Sequence, residues 1–346
     1  MLRGTSSNTT RSDSCATAAS RAVCRAGGLF ADLDHSIVNA SPPSSWWRRS
    51  IPLCVRVFRC ARGHARLFPD GRTMSEFVSG DRLVVVTGVD ERLGYATALR
   101  FAADGASLIV HTQDQQRGER TLDRLVADGI DPRRVRAVTA DFRRLAEVDA
   151  LATRLRAELP TLDVLVNAAA VAGPLGRVHT EDGFELTFQV NYLAPQRLTM
   201  ALTDALAAAH GRVVNVTSKM HVGGNIDYSD LDRKRGVFTP TVLYAQSKLA
   251  LTMFTRSLAE TGPGGLTAVS VHPADFEIDM PRQRSHAEAL LDEPAAVIAA
   301  LCAPENAVVD GGYYVGTELA YPAGLVRNSR ARARLASWSN ELLVAA

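Results

Sequence analysis

Lysine is scarce in this chain of 346 residues, because only Lys219, Lys234 and Lys248 occur and arginine supplies the other fixed positive charges. Cysteine is scarce as well: four of the five lie in the first 73 residues, which leaves Cys302 alone in the remainder. A body without paired cysteines fits a reducing compartment, so we expect a cytoplasmic protein. No apolar run reaches about 18 residues, so we predict no membrane-spanning helix.

The first 73 residues contain no Lys, Glu, Gln or Tyr, and their 11 Arg and 4 Asp give a net charge of +7. The whole chain carries +2, so the remainder carries −5. Because this stretch has no helical or strand periodicity, we expect residues 1–73 to be disordered and outside the fold. Two interpretations remain: an organelle-targeting segment, or an over-long gene model whose true start is Met74. We favour the second.

The composition also argues against two kinds of binding site. Cys54, Cys60 and His64 lack the spacing of paired-cysteine zinc sites, and we propose no metal. A nucleic-acid partner has little support, since the basic balance comes from residues 1–73 and the remainder is mildly acidic.

From residue 81 onward, short Val/Leu/Ile runs alternate with longer amphipathic segments. This alternation predicts an α/β fold for residues 74–346: a single doubly wound parallel sheet (Rossmann fold) with helices on both faces. The predicted strands are 82–87, 107–111, 135–139, 163–166, 211–216, 267–272 and one near 312–316. The predicted helices are 93–103, 116–127, 145–158, 184–208 and 241–260. We expect the long links 219–242 and 274–293 to border a substrate, the second as a mobile lid.

The first predicted strand ends in Thr87-Gly88 and leads through a turn to Gly94 and a helix. Glycines at such a turn let the backbone approach a pyrophosphate at the helix N-terminus. Further along, Tyr244 and Lys248 stand four positions apart, which places them on one face of a helix. A lone pair of this kind is usually a solvated surface pair. An ammonium near a phenol can nevertheless stabilise the phenolate and suit tyrosine to proton transfer.

Between these two motifs lie Asn167-Ala168-Ala169-Ala170, then Asn191, then Ser218. With these motifs in this order, the chain from about residue 81 to 343 resembles the short-chain dehydrogenase/reductase family, whose members carry TGxxxGxG, NNAG, a catalytic Asn, a catalytic Ser and YxxxK. Three features resemble the branch of retinol dehydrogenases and protochlorophyllide reductases: the 26 positions from Ser218 to Tyr244, the run Ser270-Val271-His272-Pro273, and Trp338-Ser339-Asn340-Glu341-Leu342.

The resemblance implies an NAD(P)-dependent oxidoreductase that moves a hydride between a nicotinamide and a carbonyl or alcohol. It assigns Tyr244 as proton donor, Lys248 as the group that lowers the tyrosine pKa and holds the ribose, and Ser218 as a donor to the carbonyl oxygen. Asn191 would kink its helix and hold a water that links Lys248 to solvent. The implied cofactor-binding residues are Thr87, Gly88, Arg92, Leu93, Gly94, Thr112, Gln113, Asp141, Phe142, Asn167, Ala168, Ala169, Tyr244, Lys248 and Pro273.

Two departures from the family pattern concern the cofactor. Arg92 replaces the middle glycine, so either the turn is remodelled and the guanidinium swings out or meets a phosphate, or affinity is weakened; we favour the first. No acid stands at Thr112 to accept the ribose hydroxyls of NAD, and Gln113 replaces an arginine common in retinol dehydrogenases. With Arg117 and Arg92 as the nearest substitutes, we expect NADP(H) in preference to NAD(H). Asp141, with Phe142, would contact the adenine.

The resemblance suggests a bulky hydrophobic carbonyl or alcohol as substrate, and a ketone reduction in bacterial secondary metabolism such as antibiotic biosynthesis is one interpretation. A second hypothesis is a catalytically silent NADP-binding sensor, suggested by Arg92 and the altered NNAG. A third, an extended-type epimerase or dehydratase, has only 98 residues after Lys248 for a substrate domain. A homo-oligomer is compatible with the family, and we expect the tail from Arg327 to Leu343 to pack within the domain.

Overall fold

The computed structural model describes residues 82–174, 176–231, 235, 238–273 and 291–345. The predictions for residues 1–73 and for most of the 274–293 link therefore lie outside the described residues. The strands are β1 Leu83–Val86, β2 Ser107–Thr112, β3 Val135–Thr139, β4 Val164–Asn167, β5 Arg212–Val216, β6 Thr267–His272, β7 Tyr313–Val315 and β8 Glu318–Ala320. The helices are α1 Arg92–Ala103, α2 Gln115–Ala127, α3 Leu145–Glu158, α4 Leu186–Phe188, α5 Ala194–Ala208, α6 Pro240–Thr261, α7 Asp292–Cys302, α8 Gly324–Arg327 and α9 Ser329–Ala345.

The eight strands form one sheet in the order β3-β2-β1-β4-β5-β6-β7-β8. The pairings from β3 through β7 are parallel, and β8 joins the edge antiparallel to β7. The order reverses between β1 and β4, which in open α/β sheets marks the position of the ligand crevice. The predicted α/β fold with a doubly wound, mostly parallel sheet is thereby confirmed.

Both faces of the sheet are covered, which explains why its central strands read as unbroken apolar runs. Val84, Val85 and Val86 are all fully buried, because successive side chains enter opposite layers. One core lies under α3, α5 and α6, and the other lies under α1, α2 and α7. This double burial holds the strand ends, and whatever follows them, in fixed positions.

The predicted helix 184–208 is interrupted by a π-helical turn. Helix α4, the π turn Gln189–Leu193 and α5 follow one another without a gap, and the Ala194 N–H donates to the Gln189 carbonyl five residues back. Pro195 has no N–H with which to satisfy the Asn191 carbonyl, so the regular helical ladder cannot continue at this point. The turn widens the helix around Asn191, which is the residue expected to kink it.

Strand and helix bounds from sequence agree with the structure to within two residues for the elements from β1 to β6. Four C-terminal elements are absent from the predicted set: helices α7, α8 and α9, and strand β8, which is joined to β7 through Gly316 at φ +58°. Strands of three residues with exposed side chains carry too little periodicity to be recognised. Helix α7 begins inside the segment that we had interpreted as a lid.

The tail packs within the domain through helix α9. Leu335 is 2 % exposed in the core, and the Ser339 hydroxyl lies 2.7 Å from the Tyr192 hydroxyl. The Tyr228 hydroxyl donates to the Ala331 carbonyl at 3.0 Å, and Arg332 pairs with Glu260 on α6. Helix α9 thus closes the layer that contains α5 and α6. No helix among the described residues has the length and apolar character needed to cross a membrane.

We predict that Leu335→Ala lowers the free energy of unfolding by about 2–4 kcal/mol, since it removes a fully packed side chain from the core. Urea denaturation followed by circular dichroism measures the change. Leu319→Ala is the matched control, because Leu319 is 56 % exposed and its truncation should cost under about 1 kcal/mol. Equal losses for the two variants would mean that α9 does not close the core.

Candidate active site

The turn between β1 and α1 requires glycine at two positions. Gly88 has φ +71°, and a Cβ there would lie 2.6 Å from the Ala169 Cα. A Cβ on Gly94 would lie 2.2 Å from the Gly88 carbonyl oxygen. The turn closes with the Glu91 N–H donating to that same carbonyl at 3.1 Å. Side chains are therefore excluded where backbone N–H groups must approach a phosphate.

The Arg92 side chain does not prevent this turn from forming. Arg92 and Leu93 are the first two residues of α1, and Arg92 is half-buried. The first turn of α1 contains no acidic side chain. The N-terminus of a helix favours an anion nearby, so the position of Arg92 is compatible with the first interpretation, which stays a prediction.

Thr87 joins the turn to the loop after β4. Its hydroxyl oxygen accepts from the N–H groups of Ala168 and Ala169 at 3.0 and 3.1 Å. Because β1 and β4 flank the position where the strand order reverses, this contact defines the floor of the crevice. The structure thus brings together the glycine turn after β1 and the Asn-Ala-Ala-Ala motif after β4.

Asn167, predicted to face a cofactor, has its side chain inside the core. Its Nδ2 donates to the Thr199 hydroxyl at 2.9 Å and to the Asn215 side-chain oxygen at 2.7 Å. Asn215 in turn donates to the Thr255 hydroxyl at 2.9 Å. The amide hydrogens are therefore used to tie β4 to β5 and α5, and the side chain supports the site from below.

The end of β2 differs from what sequence reasoning anticipated. Thr112 is fully buried and its hydroxyl donates to the Asp114 carbonyl at 3.1 Å. The Gln113 N–H donates to Asp90 at 3.4 Å, and Arg117 pairs with Asp90 at 3.0 Å. This ion pair raises the pKa of Arg117, with the Asp90 hydrogen bond as the largest cause. Arg117 is thus already engaged by a carboxylate.

The expected adenine contacts lie beside β3. Burial works to raise the pKa of Asp141, but its hydrogen bonds with Arg143 outweigh burial and the pKa falls below its ordinary value. Phe142 is stacked on His111 with ring centroids 4.3 Å apart. His111 accepts from the Gly88 N–H through Nδ1 at 3.3 Å and donates from Nε2 to the Ala140 carbonyl at 2.9 Å. This buried imidazole joins the glycine turn to the adenine side.

Asn191 joins three elements from the π turn. Its side chain accepts from the Val171 N–H at 2.8 Å and donates to the Val171 carbonyl at 2.9 Å. Its Nδ2 also donates to the Ser247 hydroxyl at 3.1 Å. Ser247 stands between Tyr244 and Lys248 on α6, so Asn191 positions the loop after β4 against the helix that carries both.

Ser218 follows β5 and caps a short 3₁₀ helix, Lys219–Gly223, with its hydroxyl accepting from the Met220 N–H at 3.2 Å. Its carbonyl accepts from His221 Nδ1 at 2.8 Å, while His221 Nε2 accepts from the Ala323 N–H at 3.2 Å. The His221 imidazole is fully buried, and burial lowers its pKa. A neutral histidine therefore fixes the backbone of Ser218 against the segment after β8.

Tyr244 and Lys248 lie one helical turn apart on α6 and are 4 % and 2 % exposed. Burial raises the pKa of the Tyr244 phenol, and the nearby Ser218 hydroxyl lowers it by less. The two hydroxyls are close without an ordinary hydrogen bond, since the phenol oxygen has no partner among the described residues. Buried hydroxyl groups normally have a hydrogen-bond partner, so this one is suited to bond with an oxygen atom of a ligand.

The Lys248 ammonium bonds to the backbone, and its expected action on Tyr244 and on the ribose stays a prediction. Lys248 Nζ donates to the Val216 carbonyl at 2.9 Å and lies 5.5 Å from the centroid of the Tyr244 ring. Burial lowers the pKa of Lys248 to about 7. In the chain without a ligand, burial therefore changes the pKa of Tyr244 more than the Lys248 ammonium does.

The predicted residues thus converge at the carboxyl edge of the sheet, where β1, β4, β5 and β6 end. Pro273 follows β6 and is buried. Sequence reasoning missed Asp90, His111, Ser247 and His221, which act through the backbone or through neighbours. The sequence shows that His221 lies close to Ser218. It does not show the burial of His221 or its contact with Ala323, which is 102 positions away.

The sequence profile described as short chain dehydrogenase matches residues 82–289. Retinol dehydrogenase 13 from Mus musculus is 36 % identical over 203 residues, which cover 58 % of this chain and 60 % of that protein. A Streptomyces sp. (strain C5) protein provisionally named daunorubicin C-13 ketoreductase DnrU is 32 % identical over 265 residues, covering 73 % and 90 %. The chain thus spans less than two thirds of that retinol dehydrogenase.

Solved structures show the same fold. A short chain dehydrogenase from Burkholderia cenocepacia J2315 in complex with NADP superposes with a TM-score of 0.53 at 29 % identity. The match covers 69 % of this chain and 97 % of that one.

Burial of Lys248 predicts a pH-dependent effect of Lys248→Met on stability. A folded pKa of about 7 against an ordinary 10.5 means that the unfolded chain binds more protons between these values, so wild-type stability rises with pH across that window. At about 1.4 kcal/mol per pKa unit, the burial cost is roughly 4–5 kcal/mol below pH 7. The variant should be more stable than wild type there, by about 2–4 kcal/mol after the lost hydrogen bond is counted.

Denaturation by urea at pH 6, 8 and 10 measures the difference between the two proteins, which should shrink as pH rises. Lys219→Met makes the same chemical change at an exposed position and should change stability by under about 0.5 kcal/mol. A stability difference for Lys248→Met that does not vary with pH would contradict the burial cost.

Proposed function

Because this chain belongs to the short-chain dehydrogenase family, we propose that it is an NAD(P)-dependent oxidoreductase that reduces a ketone or aldehyde to an alcohol. The observation that carries the proposal is the buried Tyr244 hydroxyl, which faces Ser218 at the carboxyl edge of the sheet and has no protein partner among the described residues. A substrate oxygen at this point would complete it.

The residues present fit a nicotinamide dinucleotide. Gly88, Gly94 and the N-terminus of α1 offer a phosphate cradle that a Cβ would fill. Lys248 would hold the nicotinamide ribose, and Asp141 lies on the adenine side. When bound, the cofactor supplies the hydride.

Tyr244 acts as the general acid in this proposal. A phenol whose pKa is raised by burial stays protonated at neutral pH, which is the form that can donate to a developing alkoxide. Ser218 would hydrogen-bond the same oxygen, and its backbone is fixed by His221. Alcohol oxidation needs the phenolate instead, so it should require higher pH than reduction.

In the same proposal, Asn191 positions the loop after β4 against helix α6. Its three hydrogen bonds tie Val171 to Ser247, which stands next to Lys248 on α6. The widened π turn leaves backbone carbonyls outside the regular ladder. These carbonyls could hold the water expected to connect Lys248 with solvent.

We propose NADP(H) in preference to NAD(H). Thr112 supplies no acid to accept the ribose hydroxyls of NAD, and Arg117 and Arg92 lie at the turn where a 2′-phosphate would need a cation. The Burkholderia relative binds NADP, which supports this preference.

The substrate class follows from the relatives and remains a proposal. One relative is named a retinol dehydrogenase and another is provisionally named a daunorubicin C-13 ketoreductase, and these names support our proposal of a large hydrophobic carbonyl. The Streptomyces relative supports a tailoring step in secondary metabolism. We place the protein in the cytoplasm, where the buried free thiol of Cys302 stays reduced. We also propose that the protein can form a homo-oligomer.

The proposal predicts that protein beginning at Met74 consumes NADPH with hydrophobic ketones or aldehydes, and that Tyr244→Phe lowers kcat by at least about 100-fold. The phenyl ring preserves packing but cannot donate a proton. Absorbance at the reduced-nicotinamide band follows turnover, and fluorescence should show that the variant still binds NADPH.

The variant Tyr314→Phe serves as a control, because the Tyr314 hydroxyl accepts from the Val309 N–H at 2.7 Å away from the site, and the variant should leave kcat within about twofold. NADPH binding without turnover in wild type would favour the silent sensor hypothesis. Equal kcat in wild type and Tyr244→Phe would refute Tyr244 as the acid.

A further inference from the structure

We infer that Asp90 sets the cofactor preference of this protein by competing with the 2′-phosphate of NADPH for Arg117. The inference rests on the proposed function, because it concerns the ribose end of the same nicotinamide cofactor. It concerns a residue of the glycine turn to which neither the motif pattern nor the family comparison assigns a part.

Asp90 lies in the turn between Gly88 and α1, and its side chain reaches across to the end of β2. One carboxylate oxygen, Oδ2, accepts from Arg117 Nη1 at 3.0 Å and from the Gln113 N–H at 3.4 Å. The Asp90 side chain is only 10 % exposed, whereas that of Arg117 is 39 % exposed. A largely buried anion thus occupies the donors at the point where β2 ends.

These donors lie at the position where the second strand of a dinucleotide-binding unit meets the adenosine ribose. An acid there accepts ribose hydroxyls, and an arginine there accepts a 2′-phosphate. In this chain the acid comes from the glycine turn instead of Thr112, and it contacts the arginine directly at 3.0 Å. Asp90 can therefore serve a ribose hydroxyl while it repels a phosphate dianion.

A cleft adjoins this ion pair. Its volume is about 300 Å³, and Asp90, Arg117, Arg120 and Thr121 are among the residues that line it. The arginines give it the charge that a phosphate group requires. A 2′-phosphate on Arg117 would lie next to the Asp90 carboxylate, and the repulsion between the two anions would oppose its binding unless the carboxylate moved away.

Arg117 and Asp90 thus have opposite effects on the preference between NADPH and NADH. Arg117 favours NADPH, and Asp90 reduces that preference by holding Arg117 in an internal ion pair. Removal of either side chain should change the ratio of the two cofactor affinities, and the directions should be opposite.

Titration of the purified protein with NADPH, NADH and 2′-AMP, followed by calorimetry, tests this inference without any turnover. For Asp90→Asn we expect the NADPH affinity to rise relative to NADH by about tenfold, a change equal to the removal of one close charge interaction. For Arg117→Gln we expect the same ratio to fall by about tenfold or more, with loss of 2′-AMP binding.

Asp114→Asn is the matched control. Asp114 also pairs with Arg117, at 3.3 Å, but it is 52 % exposed and its capping of α2 survives in Asn, which is an equally good N-cap. The variant removes the same charge from the same arginine, and it should change the affinity ratio by less than about twofold.

An unchanged ratio in Asp90→Asn, with both cofactors still bound, would overturn the inference and leave the proposed oxidoreductase function intact. An equal shift in Asp114→Asn would also overturn it, because net charge alone would then explain the effect. Failure of the wild-type protein to bind either cofactor would refute the proposed function, and this inference with it.

Discussion

Seven strands that run in one direction impose the constraint on which the site depends. Parallel pairing from β3 through β7 places all their carboxyl ends at one edge, and the reversal of strand order between β1 and β4 opens a crevice there. Helices on both faces bury the sheet, so the chemistry of the site lies beyond the strand ends at this edge. Residues that the sequence separates by more than 150 positions, such as Thr87 and Lys248, consequently border one crevice.

Within that crevice, burial determines the protonation of the groups more than their spacing does. Lys248 lies one turn from Tyr244, yet burial lowers the pKa of the lysine to about 7 and raises the pKa of the tyrosine. A protonated phenol suits the reduction of a carbonyl, whereas a phenolate would suit the oxidation of an alcohol. The electrostatics of the chain by itself therefore favour the acid form of Tyr244.

Support for the reacting groups comes from amides and imidazoles that contact backbone. Asn191 holds the loop after β4 to α6, His221 holds Ser218 to the segment after β8, and His111 holds the glycine turn to the loop after β3. Each contact crosses between elements that are distant in the chain. Fixed backbone positions let a few side chains direct protons to one atom.

The amino-acid sequence alone predicts the strands and helices from β1 to α6. It also singles out the candidate site residues Thr87, Gly88, Asn191, Ser218, Tyr244 and Lys248. Hydrophobic periodicity and motif order are local properties, and each can be read without knowledge of the fold. Helices α7, α8 and α9 and strand β8 are absent from the predicted set because short or weakly periodic segments acquire their structure from neighbours. The core hydrogen bonds of Asn167 and the ion pair between Arg117 and Asp90 become visible only in the folded chain. Hydrogen bonds and pKa values depend on distance and burial, and these exist only once the chain has folded.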